Sequence, residues 1–174
     1  MKPGETSKFR FLFLPYCAGD GLDIGAGSDP ITRGAIAIDD ASNWEPPYEH
    51  SAEYREMTNL NLMGDARDLR WFRDEVMDFV YSSHTLEDFE DKARVLKEWL
   101  RVLKPGGFLC LLLPDEKRYR EIEAVRNPLH KDPDFNIEKV LELLRTFGLE
   151  IIQSWDRLPW PDGDYNFGIV ARKP

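Results

Sequence analysis

The segment Gly21-Leu22-Asp23-Ile24-Gly25-Ala26-Gly27-Ser28 carries a short apolar run into a turn with two glycines. Glycines at 25 and 27 let the backbone approach a ligand closely, and Asp23 sets a hydrogen-bond acceptor beside that approach. Taken alone, such a turn serves a structural purpose equally well. Its context adds chemistry. A second run ends in Asp39-Asp40, where a carboxylate can accept both hydroxyls of a ribose. A third ends in Gly64-Asp65-Ala66, and a fourth in Ser82-Ser83-His84. Acceptors at successive strand ends suit a ligand with a ribose, an exocyclic amine and an ammonium group.

These ends need a sheet to hold them on one edge. Apolar, β-rich runs at 21–25, 35–39, 60–63, 77–81, 108–113, 149–155 and 165–171 alternate with polar or helical sequence, the rhythm of an α/β domain. Several are apolar on both faces, as strands covered by helices on both sides must be. Phe89, Ala93, Leu96, Leu100 and Leu103 form one stripe that predicts a helix over 88–103, stopped by Pro105-Gly106-Gly107. A second helix is predicted over 137–147, with Asn136 as its N-cap and Gly148 just past its end. Only nine residues, 26–34, separate the first two strands. A βαβ crossover usually needs ten or more, and Pro30 and Gly34 oppose a helix, so a loop or single turn is expected. The second crossover opens with Pro46-Pro47 and has room for a short helix around 49–57.

Composition bounds the answer. The chain has 174 residues, enough for one domain, taken as 1–174 with a flexible stretch at 1–8. No apolar run approaches the roughly 18 residues of a membrane-spanning helix, and 1–8 offers no apolar core for a secretory signal. A net charge of −9 argues against the broad basic footprint of nucleic-acid binding. Cys17 and Cys110 form no metal or redox motif and read as buried, reduced thiols of a cytoplasmic protein. No metal site is expected, and the sequence does not speak to oligomeric state.

Asp23-Ile-Gly-Ala-Gly27, the Asp39 strand end, Gly64-Asp-Ala66, the run from Asp78 through His84 to Glu87, and Trp99-Leu-Arg-Val-Leu-Lys-Pro-Gly-Gly107 stand in order. Together they resemble the motifs of class I S-adenosylmethionine-dependent methyltransferases, strongly over 20–114. The resemblance implies a Rossmann-like α/β fold, with a seven-stranded, mostly parallel sheet in the order 3-2-1-4-5-7-6, an antiparallel last strand and here a reduced first crossover. It implies S-adenosylmethionine as cofactor. Gly25, Ala26 and Gly27 would cradle its methionine part, and Asp23 would face the ammonium. Asp39, with Asp40 competing, would bind the ribose. Asp65 and the backbone of Ala66 would meet the adenine, and Ser82 would lie beneath the sulfonium. Residues 115–174 would supply the acceptor side and the C-terminal hairpin.

The same likeness suggests a small-molecule or glycan-type acceptor, methylated at oxygen. His84 is the candidate base, since it combines a near-neutral pKa with a position just past the fourth strand. His50 and His130 are less favourably placed. Tyr119, Arg120, His130 and Trp160 are expected in loops that could rim the acceptor. A nicotinamide dehydrogenase is disfavoured, because Ser28-Asp29-Pro30 replaces the third glycine and helix of a dinucleotide loop. A nucleobase amino-methyltransferase is disfavoured too, because Glu45-Pro46-Pro47-Tyr48 follows the second strand rather than the fourth. The other reading is a noncatalytic S-adenosylmethionine-binding or scaffold protein, since the short N-terminus leaves little for a helical lid.

Overall fold

The computed structural model describes residues 4–40, 60–124, 127–159 and 165–174. Strands β1 (Gly21–Ile24), β2 (Ile36–Asp39), β3 (Leu62–Met63), β4 (Met77–Ser83), β5 (Leu103–Pro114), β6 (Glu150–Trp155) and β7 (Asn166–Arg172) form one sheet, ordered β3-β2-β1-β4-β5-β7-β6. β1 to β5 pair in parallel, while β7 runs antiparallel to both β5 and β6. The order expected from the resemblance is therefore the order found.

Alternation along the strands feeds two cores, one on each face of the sheet. Leu22, Ile24, Val80, Leu109, Leu111, Phe167 and Ile169 point to the first. There they meet helix α2 (Lys92–Val102) through Leu96 and Trp99, and helix α4 (Ile137–Thr146) through Val140 and Leu144. Phe79, Tyr81, Cys110, Leu112 and Val170 point to the second. That face is covered by α1 (Glu5–Phe13) through Phe9 and Phe13, which pack with Ile31 and Ala35 of the first crossover. The free thiols of Cys17 and Cys110 meet in this core, where burial pushes the Cys110 thiol well above its usual range.

The first crossover has no helix, as its length dictated. Asp29 amide nitrogen donates to the Ala26 carbonyl at 3.1 Å in a single turn. α1 supplies the missing cover and is tied to that turn. Ser7 amide nitrogen donates to Asp29 Oδ2 at 2.7 Å, and Arg10 reaches the Pro30 and Ile31 carbonyls, each at 3.0 Å. Of the stretch 1–8 expected to be flexible, residues 5–8 form the first turn of this helix, and 1–3 lie outside the described residues.

Three other boundaries differ from the pattern reading. α2 starts at Lys92 rather than at residue 88, since Phe89 is extended and Asp91 caps the helix by accepting from Arg94 amide nitrogen at 3.0 Å. β5 begins at Leu103, because Gly106 and Gly107 continue the strand through backbone bonds with Lys173. Tyr119 and Arg120 lie on helix α3 (Glu116–Glu123), not in a loop. Asn136 caps α4, and Gly148 turns the chain at φ +75°, both as expected. The expected helix near 49–57 lies outside the described residues, as do His50 and Trp160. Among the described residues no helix is long and apolar enough to cross a membrane.

Candidate functional site

A cleft of about 250 Å³ opens at the carboxyl ends of β1, β2 and β4. Gly25, Asp39, Asp40, Ala66 and His84 line it, so five of the residues singled out from sequence converge. Asp23, Ala26, Gly27, Asp65 and Ser82 stand behind or beside that wall.

Glycine is required at 25 for two reasons. Its φ is +73°, and a Cβ built there would run into Thr85 Oγ1. The turn is held onto β2: the amide nitrogens of Gly25 and Ala26 donate to the Ile38 carbonyl at 2.9 and 3.1 Å. Gly27 amide nitrogen donates to Asp39 Oδ2 at 3.0 Å. Asp39 thus positions the glycine turn with the same carboxylate that faces the cleft.

Asp23 is almost wholly buried. Its Oδ2 accepts from Ile31 amide nitrogen at 2.5 Å, whereas its Oδ1 has no partner among the described residues. Burial pushes this carboxyl up to about 7, against the opposing pull of the Ile31 N–H. An orphaned buried oxygen beside a glycine turn is chemically matched to a cationic group such as an ammonium. Ser82 is fully buried and donates from Oγ to the Ile24 carbonyl at 2.8 Å, fastening β4 to β1.

At the end of β3, Asp65 caps its own turn by accepting from Arg67 amide nitrogen at 2.8 Å. The Arg67 guanidinium also grips both carboxylate oxygens and holds the Asp65 carboxyl below its ordinary range. Ala66 is fixed from behind, its carbonyl accepting from Trp99 Nε1 at 2.8 Å. Arg67 itself reaches the cleft wall.

His84 sits past β4 in the left-handed region, at φ +51°, a conformation a residue with a Cβ adopts reluctantly. Its amide nitrogen donates to the Leu112 carbonyl at 3.0 Å. Ring Nε2 lies 2.6 Å from Asn166 Oδ1, and Nδ1 lies 3.6 Å from Glu87 Oε1. Burial pushes the imidazole pKa below its usual value, so the neutral base form is favoured.

Residues that sequence reasoning missed complete this side. Thr85, Asp88 and Phe89 line the cleft; they simply continue the strand end that begins at Ser82. Asp88 has a buried Oδ1 without a partner among the described residues, and desolvation raises its carboxyl to about 6. Behind them runs a buried polar chain. His130 Nδ1 lies 2.5 Å from Glu116 Oε2, and His130 Nε2 lies 3.9 Å from Glu87 Oε1. Burial pushes the Glu87 carboxyl well above its normal range. Tyr119 packs against both His130 and Tyr165 at ring separations of 5.0 Å. His130 is thus a buried partner in this chain and not a residue of an open rim.

Known proteins share the fold that carries this cleft. A methyltransferase-domain family model matches residues 22–111, just over half of the chain. The chain is 28% identical over 142 residues to an uncharacterised protein of Methanocaldococcus jannaschii, covering 78% of this chain and 67% of that one. A solved S-adenosylmethionine-dependent methyltransferase from Archaeoglobus fulgidus superposes with a TM-score of 0.70 at 18% identity, over 97% of this chain and 92% of that one. Another from Thermotoga maritima, whose name carries histamine N-methyltransferase as a candidate activity, gives a TM-score of 0.66 at 25% identity, over 96% and 86% of the two chains. By its motifs, its strand order and its matched residues, the chain belongs to the class I S-adenosylmethionine-dependent methyltransferases, and S-adenosylmethionine is its cofactor.

Proposed function

We propose that the protein transfers the methyl group to a hydroxyl of a small-molecule or glycan-type acceptor, with His84 as the base. The observation that carries this reading is His84 itself, the one described histidine on the cleft wall, kept neutral by burial. When bound, the cofactor supplies a methyl carbon on a sulfonium, whose sulfur leaves as a neutral thioether with the carbon–sulfur electron pair. The donor is thus already activated, so alignment supplies much of the rate and a base adds about 10²–10⁴ for a hydroxyl acceptor.

The cofactor's holders follow from the chemistry of each group. Gly25, Ala26 and Gly27 give the methionine part a backbone wall without side chains in the way. The unpartnered oxygen of Asp23 suits the ammonium, and Asp39 with Asp40 suits the ribose hydroxyls. Asp65 acts through the turn it caps, which presents the Ala66 backbone to the adenine. Ser82 backs the sulfonium by fixing β4 to β1. Residues 115–174 form the acceptor side, and the two free thiols accord with a cytoplasmic enzyme.

The test profiles methyl transfer to sugars, phenols, carboxylic acids, amines and peptides, then repeats the best acceptor with His84→Gln. Cofactor affinity holds in this variant while turnover falls at least about a hundredfold, the lower end of general-base effects. A fall below about threefold reduces His84 to a wall of the site. Tight cofactor binding with no transfer across the whole panel favours the noncatalytic reading instead.

A further inference from the structure

His84 is held by two residues from the opposite ends of the chain. Asn166 is the first residue of β7, fully buried and in register with Pro114 at the end of β5. Its Nδ2 donates to Glu5 Oε2 at 2.9 Å. Glu5 opens α1, and its other oxygen, Oε1, accepts from Lys8 Nζ at 2.7 Å.

That arrangement determines which way the amide points. An ionised carboxylate only accepts, so the NH₂ of Asn166 must face Glu5 and its carbonyl oxygen must face His84. The carbonyl likewise only accepts. The 2.6 Å contact with His84 Nε2 therefore requires a proton on that nitrogen. A neutral imidazole has one ring proton, so Nδ1 carries the lone pair.

We propose that Asn166 and Glu5 are positioning residues that lock His84 as the Nε2–H tautomer and make Nδ1 its proton-accepting atom. In the reading above, on which the catalytic part of this inference rests, the acceptor oxygen bonds the methyl carbon and gives its proton to Nδ1. The proton then leaves to solvent once the product departs. Nδ1 has no hydrogen bond among the described residues, and Glu87 Oε1 is its nearest charged-type neighbour at 3.6 Å. The left-handed backbone of His84 fits this assignment. Strain of that kind persists where the surroundings over-determine a conformation, and the Leu112 and Asn166 contacts do so here.

The test reads the ring nitrogens directly. The chain has three histidines, so ¹⁵N-histidine labelling with His84→Gln as an assignment reference isolates the His84 signals. At neutral pH the cofactor-free protein shows the proton on Nε2, slow to exchange with water. Asn166→Leu loses that slow exchange and lowers kcat about tenfold or more, with cofactor affinity unchanged. Glu5→Gln reads the same proton from the half-exposed start of α1, and decides the matter where Asn166→Leu does not fold. A wild-type proton on Nδ1 overturns the proposal. So does an Nε2 proton whose exchange is the same in both variants. Loss of the protected proton with kcat within threefold of wild type upholds the lock and sinks the base reading, which separates the two.

Discussion

On the β1–β3 side of the cleft, Asp39 and Asp65 stay in contact with solvent and are held locally: one by the glycine turn, the other by Arg67 two residues on. On the β4–β7 side, Glu87 and Glu116 are buried almost completely and share His130, which lies 2.5 Å from Glu116 Oε2 and 3.9 Å from Glu87 Oε1. A solvated carboxylate keeps its charge cheaply and is ready for a ligand, at little consequence for the fold. A buried one depends on every partner in its network, so its loss is felt as stability. The two sides should therefore respond to mutation in opposite ways, binding on one and folding on the other. Asp23 is the exception on the first side, being buried with one oxygen unmatched.

The largest effect is expected from that exception. The Asp23 carboxyl sits at about 7 in the fold against an ordinary value of 3.8. The folded state thus holds the proton over a window where the unfolded chain has lost it, so this group's contribution to stability is full below pH 4 and is lost as pH rises toward 7. The shift corresponds to roughly 4 kcal/mol. Asp23→Asn still accepts from Ile31 and should remove this part of the slope, making the variant more stable than wild type at pH 7.5. Urea denaturation at pH 4.5 and 7.5 checks it; an equal slope in both proteins would return Asp23 to the solvated class.

Next comes the buried network. His130→Leu strips Glu116 of its 2.5 Å partner and should cost about 3 kcal/mol, with cofactor affinity intact once folded protein is compared. A change below about 1 kcal/mol would mean the two sides do not differ in kind. Asp39→Ala is the mirror experiment. Loss of a charge-assisted hydrogen bond is worth roughly 1.5–3 kcal/mol, so S-adenosylmethionine should bind at least about tenfold more weakly by calorimetry while the melting midpoint moves little. An unchanged dissociation constant would transfer the role to Asp40. The smallest effect is a control on the β4–β7 side. Ala124 ends α3 at φ +54°, so Ala124→Gly should raise stability by about 1 kcal/mol and leave binding alone.

The same contrast governs how much was legible in the sequence. The strands and the cleft's glycine turn were readable because alternation and turn residues are local signals, as Leu22, Ile24 and Gly25 illustrate. α1 was not. Its buried residues Thr6, Phe9 and Phe13 keep helical spacing, but exposed Phe11 and, just beyond, Leu14 blur the stripe. α3 has no apolar stripe at all, since Glu116 is its one buried residue. The hidden half of the site is tertiary in origin: His84 meets Asn166 across 82 residues, and Asn166 meets Glu5 across 161. No local pattern announces such a meeting.

That long closure also sets an order in time. Synthesis passes from Glu5 through β1 and the glycine turn well before it reaches Asn166. The carboxyl ends of β1 to β3 can therefore assemble while synthesis continues, whereas His84 Nε2 lacks its Asn166 contact until β7 slots between β5 and β6. On the roles proposed above, a nascent chain would be able to hold the cofactor before His84 meets its partner from β7.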